Sequence, residues 1–265
     1  MPIKLPTGRI HIKNNCGGNM HMTNLSKIKC IAIDVDGTIT NKDNILDLNA
    51  IEMLRKLKSE IGLKMILASG NAYPVLMGLA RYIGGIDYVI AENGGVIGMD
   101  GEIEVIGDRR IGEKAREIIR RELGDILIES WQCMYRFVDF SFKVKHGIEW
   151  EYAYKKTLEV LGRKIPEAKA VFSGVAIHVG DRRVNKGIAL KRVMEKWHLE
   201  NENVMAIGDS DVDVEMLMEA GLSVAVANAS EKAKRVAKII TKKPYGEGFI
   251  EISEKILEEF KMKRG

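Results

Sequence analysis

The run Ile28–Ile33 is almost wholly apolar and stops at the turn residues Asp34–Thr38. A half-buried strand alternates apolar with polar side chains. A run apolar at successive positions must be covered on both faces, which a parallel sheet packed between helices provides. The same unit recurs along the chain. Apolar segments at Leu63–Ala68, Asp87–Ala91, Val204–Ile207 and Ser223–Val226 alternate with helical spacing over Asp47–Lys58, Tyr73–Ile83, Lys186–Trp197, Asp213–Ala220 and Glu231–Ala237. A short strand at Ile239–Ile240 and a helix from Phe249 close the series, and Val96–Ile97 with Ile103–Ile106 read as a hairpin about Met99-Asp100-Gly101. Strand and helix in alternation predict an α/β fold with a Rossmann-like parallel sheet.

Residues 108–183 break this rhythm. Gly112–Leu123 and Glu149–Leu161 have helical spacing, while Ile126–Trp131, Arg136–Val144, Ala168–Phe172 and Val175–Val179 read as strands, the last two paired about Ser173-Gly174. This helix-strand-strand-helix-strand-strand order predicts an inserted α+β domain over 108–183, within a core made of 28–107 and 184–265. Residues 1–27 carry Pro2, Pro6, Asn14-Asn15 and Gly17-Gly18 with no periodicity, and read as an extension or tag without fixed structure.

Charge excludes one class of function. The chain of 265 residues carries a formal charge of +4, but Lys4, Arg9, Lys13, Lys27 and Lys29 stand in its first 29 residues without a single acid, so the rest sums to −1. Nucleic acid is therefore not an expected partner of the folded body. No apolar run approaches the length of a membrane span, so no membrane partner is expected. Cys16, Cys30 and Cys133, odd in number and far apart, argue against a disulfide framework and fit a cytoplasmic protein. A homodimer is compatible with the sequence. Gln132 is the only glutamine, which together with abundant Lys, Glu and Ile leans toward a thermophilic source. Within the insert basic side chains exceed acidic ones by four, whereas 30–107 with 184–265 nets −5. That contrast suits an anionic small molecule held between the two parts, although charge scattered over solvated faces gives the same totals.

The chemistry begins at Asp34-Val35-Asp36-Gly37-Thr38. In an extended segment, side chains at i and i+2 point the same way, so both carboxylates address one point beyond the carboxyl end of a strand, where open α/β sheets bind ligands. Gly37 allows a tight turn that turns backbone N–H groups toward an anion. The segment resembles the first motif of the haloacid dehalogenase superfamily of phosphotransfer enzymes, and three more motifs follow in order. Ser69 in Ile66-Leu67-Ala68-Ser69-Gly70-Asn71 is similar to the second, Lys186 in Asn185-Lys186-Gly187 to the third, and Gly208-Asp209-Ser210-Asp211-Val212-Asp213 to the fourth. The insert lies where that family places its larger C2-type cap, and with Ala91-Glu92-Asn93-Gly94-Gly95 ahead of it resembles the archaeal phosphoglycolate phosphatases of the Cof-like branch.

The resemblance implies a Mg²⁺-dependent phosphomonoester hydrolase. Asp34 would be the nucleophile and Asp36 the general acid and base, while Ser69, Gly70 and Lys186 would hold the phosphoryl oxygens. Asp34, Asp36 (through its backbone carbonyl), Asp209 and Asp213 would surround the metal, with Asp213 ligating or bracing it. Two like charges about 4 Å apart repel by roughly 4 kcal/mol at an effective dielectric of 20, so four clustered carboxylates call for a cation, and all-oxygen ligands favour Mg²⁺. Trp131, Arg136, His146 and His178 are candidate substrate contacts on the insert, each also readable as structural. Val212 departs from the branch, which commonly carries Asn there; Asn71 and Asn185 remain as polar candidates, and Asp211 could partly substitute. A sugar-phosphate phosphatase or a phosphomutase would use the same core, and a metal-binding signalling scaffold is the non-enzymatic alternative.

Overall fold

The computed structural model describes residues 11–12 and 25–264. In chain order the elements are β1 (His11–Ile12), β2 (Cys30–Asp34), α1 (Leu48–Ile61), β3 (Lys64–Ala68), α2 (Tyr73–Ile83), β4 (Tyr88–Ala91), β5 (Val96–Met99) and β6 (Glu102–Val105). The insert contributes α3 (Arg109–Leu123), β7 (Leu127–Glu129), β8 (Phe140–Val144), α4 (Trp150–Lys164), β9 (Ala168–Phe172) and β10 (Ile177–Asp181). The chain then returns through α5 (Lys186–Lys196), β11 (Val204–Gly208), α6 (Val214–Glu219), β12 (Leu222–Ala225), α7 (Glu231–Val236), β13 (Ile239–Ile240) and α8 (Tyr245–Arg264).

The large sheet runs β1-β13-β12-β11-β2-β3-β4-β5-β6, parallel from β13 to β4 and antiparallel at both edges. Every residue of β2 and β11 is buried, as consecutive apolar positions require when helices cover both faces. Asp47 caps α1 by accepting from the amides of Asn49 and Ala50, and Gly62 ends it at φ 80°, a left-handed conformation that glycine adopts without strain. The expected α/β core is present, with the hairpin as its far edge.

The insert is a separate layer with its own core. Its sheet, β7-β8-β10-β9, is antiparallel throughout. Phe140 and Phe142 of β8 and Ile177 and Val179 of β10 pack with Ala115, Ile119 and Leu161 from the two helices. The period of two sends Ser141, Lys143 and His178 to the opposite face, where they line the cleft against the large sheet.

Several boundaries differ from the sequence reading. The strand expected over Arg136–Val144 begins only at Phe140, and the strand expected over Ile126–Trp131 stops at Glu129. Ser130 instead caps a 3₁₀ turn over Trp131–Tyr135. The amides of Phe137, Val138 and Asp139 donate to the Glu92 carboxylate at 2.9–3.2 Å, so no neighbouring strand receives them. Val138 belongs to the apolar core of the large domain and not to that of the insert. It lies so close to both connecting segments that a Cβ on Gly107 would stand 3.1 Å from its side chain, and one on Gly180 would stand 3.0 Å from its carbonyl. Asp108 caps α3, starting the helix three residues before the expected Gly112. The helix expected over Asp213–Ala220 is a 3₁₀ turn over Asp211–Asp213 followed by α6, and α8 starts at Tyr245 rather than Phe249.

Most of residues 1–27, read above as an extension, lie outside the described residues. Within them His11 and Ile12 pair antiparallel with Ile240 and Ile239, and Leu25 is buried at a 3₁₀ turn, so the folded body reaches back at least to Leu25. Cys30 and Cys133 are buried free thiols, and burial pushes the Cys30 thiol up to about 12. Among the described residues no helix is long and apolar enough to cross a membrane.

Candidate active site

β2, β3 and β11 end side by side, because β2 pairs with β3 on one flank and β11 on the other. Their carboxyl ends deliver Asp34, Ser69 and Asp209 to one edge, and α5 brings Lys186 as its first residue, with Asn185 capping the helix by accepting from the Ile188 amide at 2.8 Å. Asn185 is therefore a helix cap. Its carbonyl also passes close to Gly94, which has φ 95° and where a Cβ would lie 2.1 Å from that oxygen.

Lys186 is the electrostatic centre. Its Nζ donates to Asp34 Oδ1 at 2.6 Å and to Asp213 Oδ1 at 2.7 Å, with all three residues no more than 4% exposed. Burial works against its charge, but Asp213 and Asp34 outweigh burial and hold the ammonium above its ordinary range. Asp34 is shifted upward, by burial first and the Asp213 charge next, with Lys186 opposing. Burial and Asp213 push Asp209 up to about 7. Three crowded carboxylates facing one ammonium are under-compensated, which is the electrostatic signature of a cation site.

Among the described residues Asp34, Asp209 and Asp213 form a group whose ligand atoms lie within 4.8 Å of one another. Their surroundings differ. Asp213 Oδ2 accepts from the amides of Asp209 and Ser210 and from the Ser210 hydroxyl, while its Oδ1 accepts from Lys186, so both oxygens already have partners. Asp209 lies against Gly37, where a Cβ would meet its carboxylate at 2.3 Å; with φ at 85°, only glycine fits there. Thr38 donates its hydroxyl to Asp34 Oδ2 at 3.2 Å. The Asp36 side chain stands outside the triad and accepts from the Asn71 amide at 3.3 Å. Burial raises the Asp36 carboxyl, against the lowering effect of Lys186, Ser69 and Asn71.

A cleft of about 170 Å³ opens between the two layers. Asp34, Asp36, Gly70, Asn71 and Lys186 line it from the core, and Trp131, Gln132, Arg136, Ser141, Lys143 and His178 from the insert. Ser69, Asp209 and Asp213 are not on its wall. Of the four candidate contacts on the insert, Trp131, Arg136 and His178 reach the cleft, whereas His146 is exposed in the turn after β8. Arg136 is buried and already engaged: Nη1 donates to Asp139 Oδ1 at 3.1 Å and Nη2 to the Gly70 carbonyl at 2.8 Å. His178 Nδ1 sits 2.6 Å from the same Asp139 oxygen. Lys143 is exposed and, among the described residues, has no ion-pair or side-chain hydrogen-bond partner. Ser141 Oγ beside it is buried without a partner.

Four contributors escaped the sequence reading. Thr38 sat inside the first motif without a role. Asn228 donates to the Gly37 carbonyl at 3.0 Å, fixing the turn from a distant loop. Glu92 and Gln132 join insert to core. Asp211 does not replace an amide at position 212, because Ser230 and Lys232 hold it at the surface at 2.7 and 2.6 Å, while Val212 lines the cleft.

The family described as haloacid dehalogenase-like hydrolase matches residues 31–121 and 134–252. The chain belongs to that family. It is 37% identical over 237 residues, 88% of its own length and 99% of the relative's, to a phosphoglycolate phosphatase of Staphylothermus marinus. It is 38% identical to one of Archaeoglobus fulgidus, covering 85% of this chain and 95% of that one. The solved structure of Thermoplasma acidophilum 0175 superposes with a TM-score of 0.77 at 26% identity, covering 86% and 98% of the two chains. A haloacid dehalogenase-like hydrolase from B. subtilis shares the fold at a TM-score of 0.69 and 21% identity, covering 86% and 99%. In this family's terms the insert is the cap.

Proposed function

We propose that the protein is a Mg²⁺-dependent phosphomonoester hydrolase that works through an aspartyl-phosphate and takes 2-phosphoglycolate as its substrate. The observation that carries this reading is the Asp34–Lys186–Asp213 centre opening into a small cleft whose far wall offers one uncommitted ammonium, Lys143.

An Asp34 carboxylate oxygen attacks phosphorus, the bond from phosphorus to the ester oxygen breaks, and Asp36 gives its proton to the departing alkoxide. Water then attacks the phosphoryl group, passes a proton to Asp36, and the bond to Asp34 breaks to release phosphate. The upward shift of Asp36 by burial suits a carboxyl that must carry that proton. Lys186, the Ser69 hydroxyl and the backbone at Gly70 bind the phosphoryl oxygens. Mg²⁺ would supply charge neutralisation there, and Asp34 and Asp209 would hold it by their side chains, with the Asp36 carbonyl and Asp213 as the further candidates.

Substrate choice falls to the cap. A two-carbon acid fits a cleft of about 170 Å³, with its carboxylate meeting Lys143 and the orphan Ser141 hydroxyl. Relatives named phosphoglycolate phosphatase support the same choice. The test is a panel of phosphate monoesters assayed with Mg²⁺ and with chelator. 2-Phosphoglycolate should show the highest kcat/KM, and chelation should abolish turnover until Mg²⁺ is restored. A sugar phosphate ranking first would overturn the substrate, and full activity in chelator would overturn the metal.

A further inference from the structure

We infer that Gln132 of the cap is a positioning residue for the general acid, acting through the orientation of the Asn71 amide. This rests on Asp36 being the acid in the reaction above. A side-chain amide is nearly symmetric in shape, so its direction must follow from a partner whose role is fixed. Here that partner is a backbone N–H. The Ala72 amide, which can only donate, reaches Gln132 Oε1 at 2.8 Å, and Arg136 Nη2, also only a donor, lies 3.3 Å from the same oxygen.

The other end of Gln132 is therefore its NH₂ group, which donates to Asn71 Oδ1 at 2.8 Å. With its oxygen turned to the cap, Asn71 must present its own NH₂ to the core. That group donates to Ser69 Oγ at 2.9 Å and to Asp36 Oδ2 at 3.3 Å. Ser69 Oγ also accepts from the Asn71 backbone amide at 3.1 Å, which leaves its hydroxyl proton to donate toward the Asp36 carboxylate. One donor fixed in the core backbone thus sets two amides and a hydroxyl in sequence, but only while the cap residue Gln132 stands between them. With the cap displaced, Asn71 is free to turn over, and its NH₂ no longer holds Asp36 Oδ2 in place.

The test is Gln132→Glu. Glutamate keeps the acceptor for Ala72 N–H and Arg136, so docking of the cap survives, but it offers Asn71 an acceptor where a donor stood. Asn71 then turns its NH₂ toward the cap and withdraws it from Asp36. The readout is kcat/KM, which reports events up to leaving-group departure, for an alkyl ester (2-phosphoglycolate) and an aryl ester (p-nitrophenyl phosphate) whose leaving group departs without a proton. General acid catalysis contributes on the order of 10²- to 10⁴-fold, and partial misdirection should remove roughly 10- to 100-fold of it for the alkyl ester. The aryl ester should change by less than about threefold. Gln132→Met, which lacks both partners, should lose alkyl activity and also lower the melting temperature. Wild-type turnover of both esters establishes the hydrolase reading beforehand, so the ratio tests only the link. Equal losses on both esters, or no loss on either, would overturn it.

Discussion

The two walls of the cleft are built on opposite plans. On the core side the polar groups are tied to one another: Lys186 donates to Asp34 and Asp213, and Asp213 accepts from three donors of the preceding Asp209-Ser210 segment. On the cap side some polar groups are tied down, among them Gln132, Arg136 and His178, whereas Lys143 and the Ser141 hydroxyl are loose. The saturated wall can be held to the small tolerances that bond making requires. The loose wall can be changed without disturbing the chemistry, which is what a specificity surface needs. The division also runs through the cap itself, so cap residues should not behave alike when replaced.

The largest expected effect lies in the core. Asp34→Asn keeps the shape but removes the attacking oxygen's charge, and activity should fall by at least about 10³-fold on every ester, measured by initial phosphate release. A loss confined to one substrate would break the comparison.

Next come the tied groups of the cap. Arg136→Ala leaves Asp139 buried without its guanidinium partner, and breaking such a pair costs on the order of 3–5 kcal/mol. Thermal or denaturant unfolding should show that loss, with both carboxylated and uncharged substrates impaired alike. Retained stability with a selective loss of 2-phosphoglycolate would move Arg136 to the reading side.

For the loose groups, Lys143→Ala should leave stability unchanged and reduce kcat/KM for 2-phosphoglycolate relative to ethyl phosphate by roughly 10- to 100-fold, the worth of a charge-assisted hydrogen bond of about 1.5–3 kcal/mol. Competition kinetics with the two esters would measure it, and an unchanged ratio would place the carboxylate elsewhere.

The smallest effect is on pH dependence. Asp209 stands at about 7 when folded, raised by burial and by Asp213, and Asp34 is shifted the same way. A carboxyl whose folded value exceeds its unfolded one binds more protons when folded, so the contribution of these two carboxyls to metal-free stability is greatest at acid pH and declines as pH rises from about 4 toward 7. Mg²⁺ relieves that repulsion only when the carboxylates are ionised. The melting temperature should therefore rise more on adding Mg²⁺ at pH 8 than at pH 5, and equal shifts would remove the carboxylates as the metal site.

What the sequence made legible follows the same division. Asp34, Asp36 and Gly37 are adjacent in the chain, and each remaining motif sits at the end of an apolar run or the start of a helix, where local pattern marks it. Gln132 and Asn71 are 61 residues apart and Glu92 and Val138 are 46 apart, linked by single hydrogen bonds that leave no periodic trace. The misread strand at Arg136–Val144 shows the cost: its composition suits a strand, but three of its N–H groups belong to a distant carboxylate. The lone glutamine was visible as a compositional oddity, although nothing in its neighbourhood pointed to the amide it orients.

The grip of Glu92 on Phe137–Asp139, with Val138 sunk into the large core, bears on how the cleft admits a ligand. Two covalent connections alone would let the cap swivel. A third chain segment clamped beside Gly107 and Gly180 works against that swivel. Three anchored segments instead of two are expected to keep any opening of the cap shallow, and the turnover of bulky esters relative to small ones would measure it.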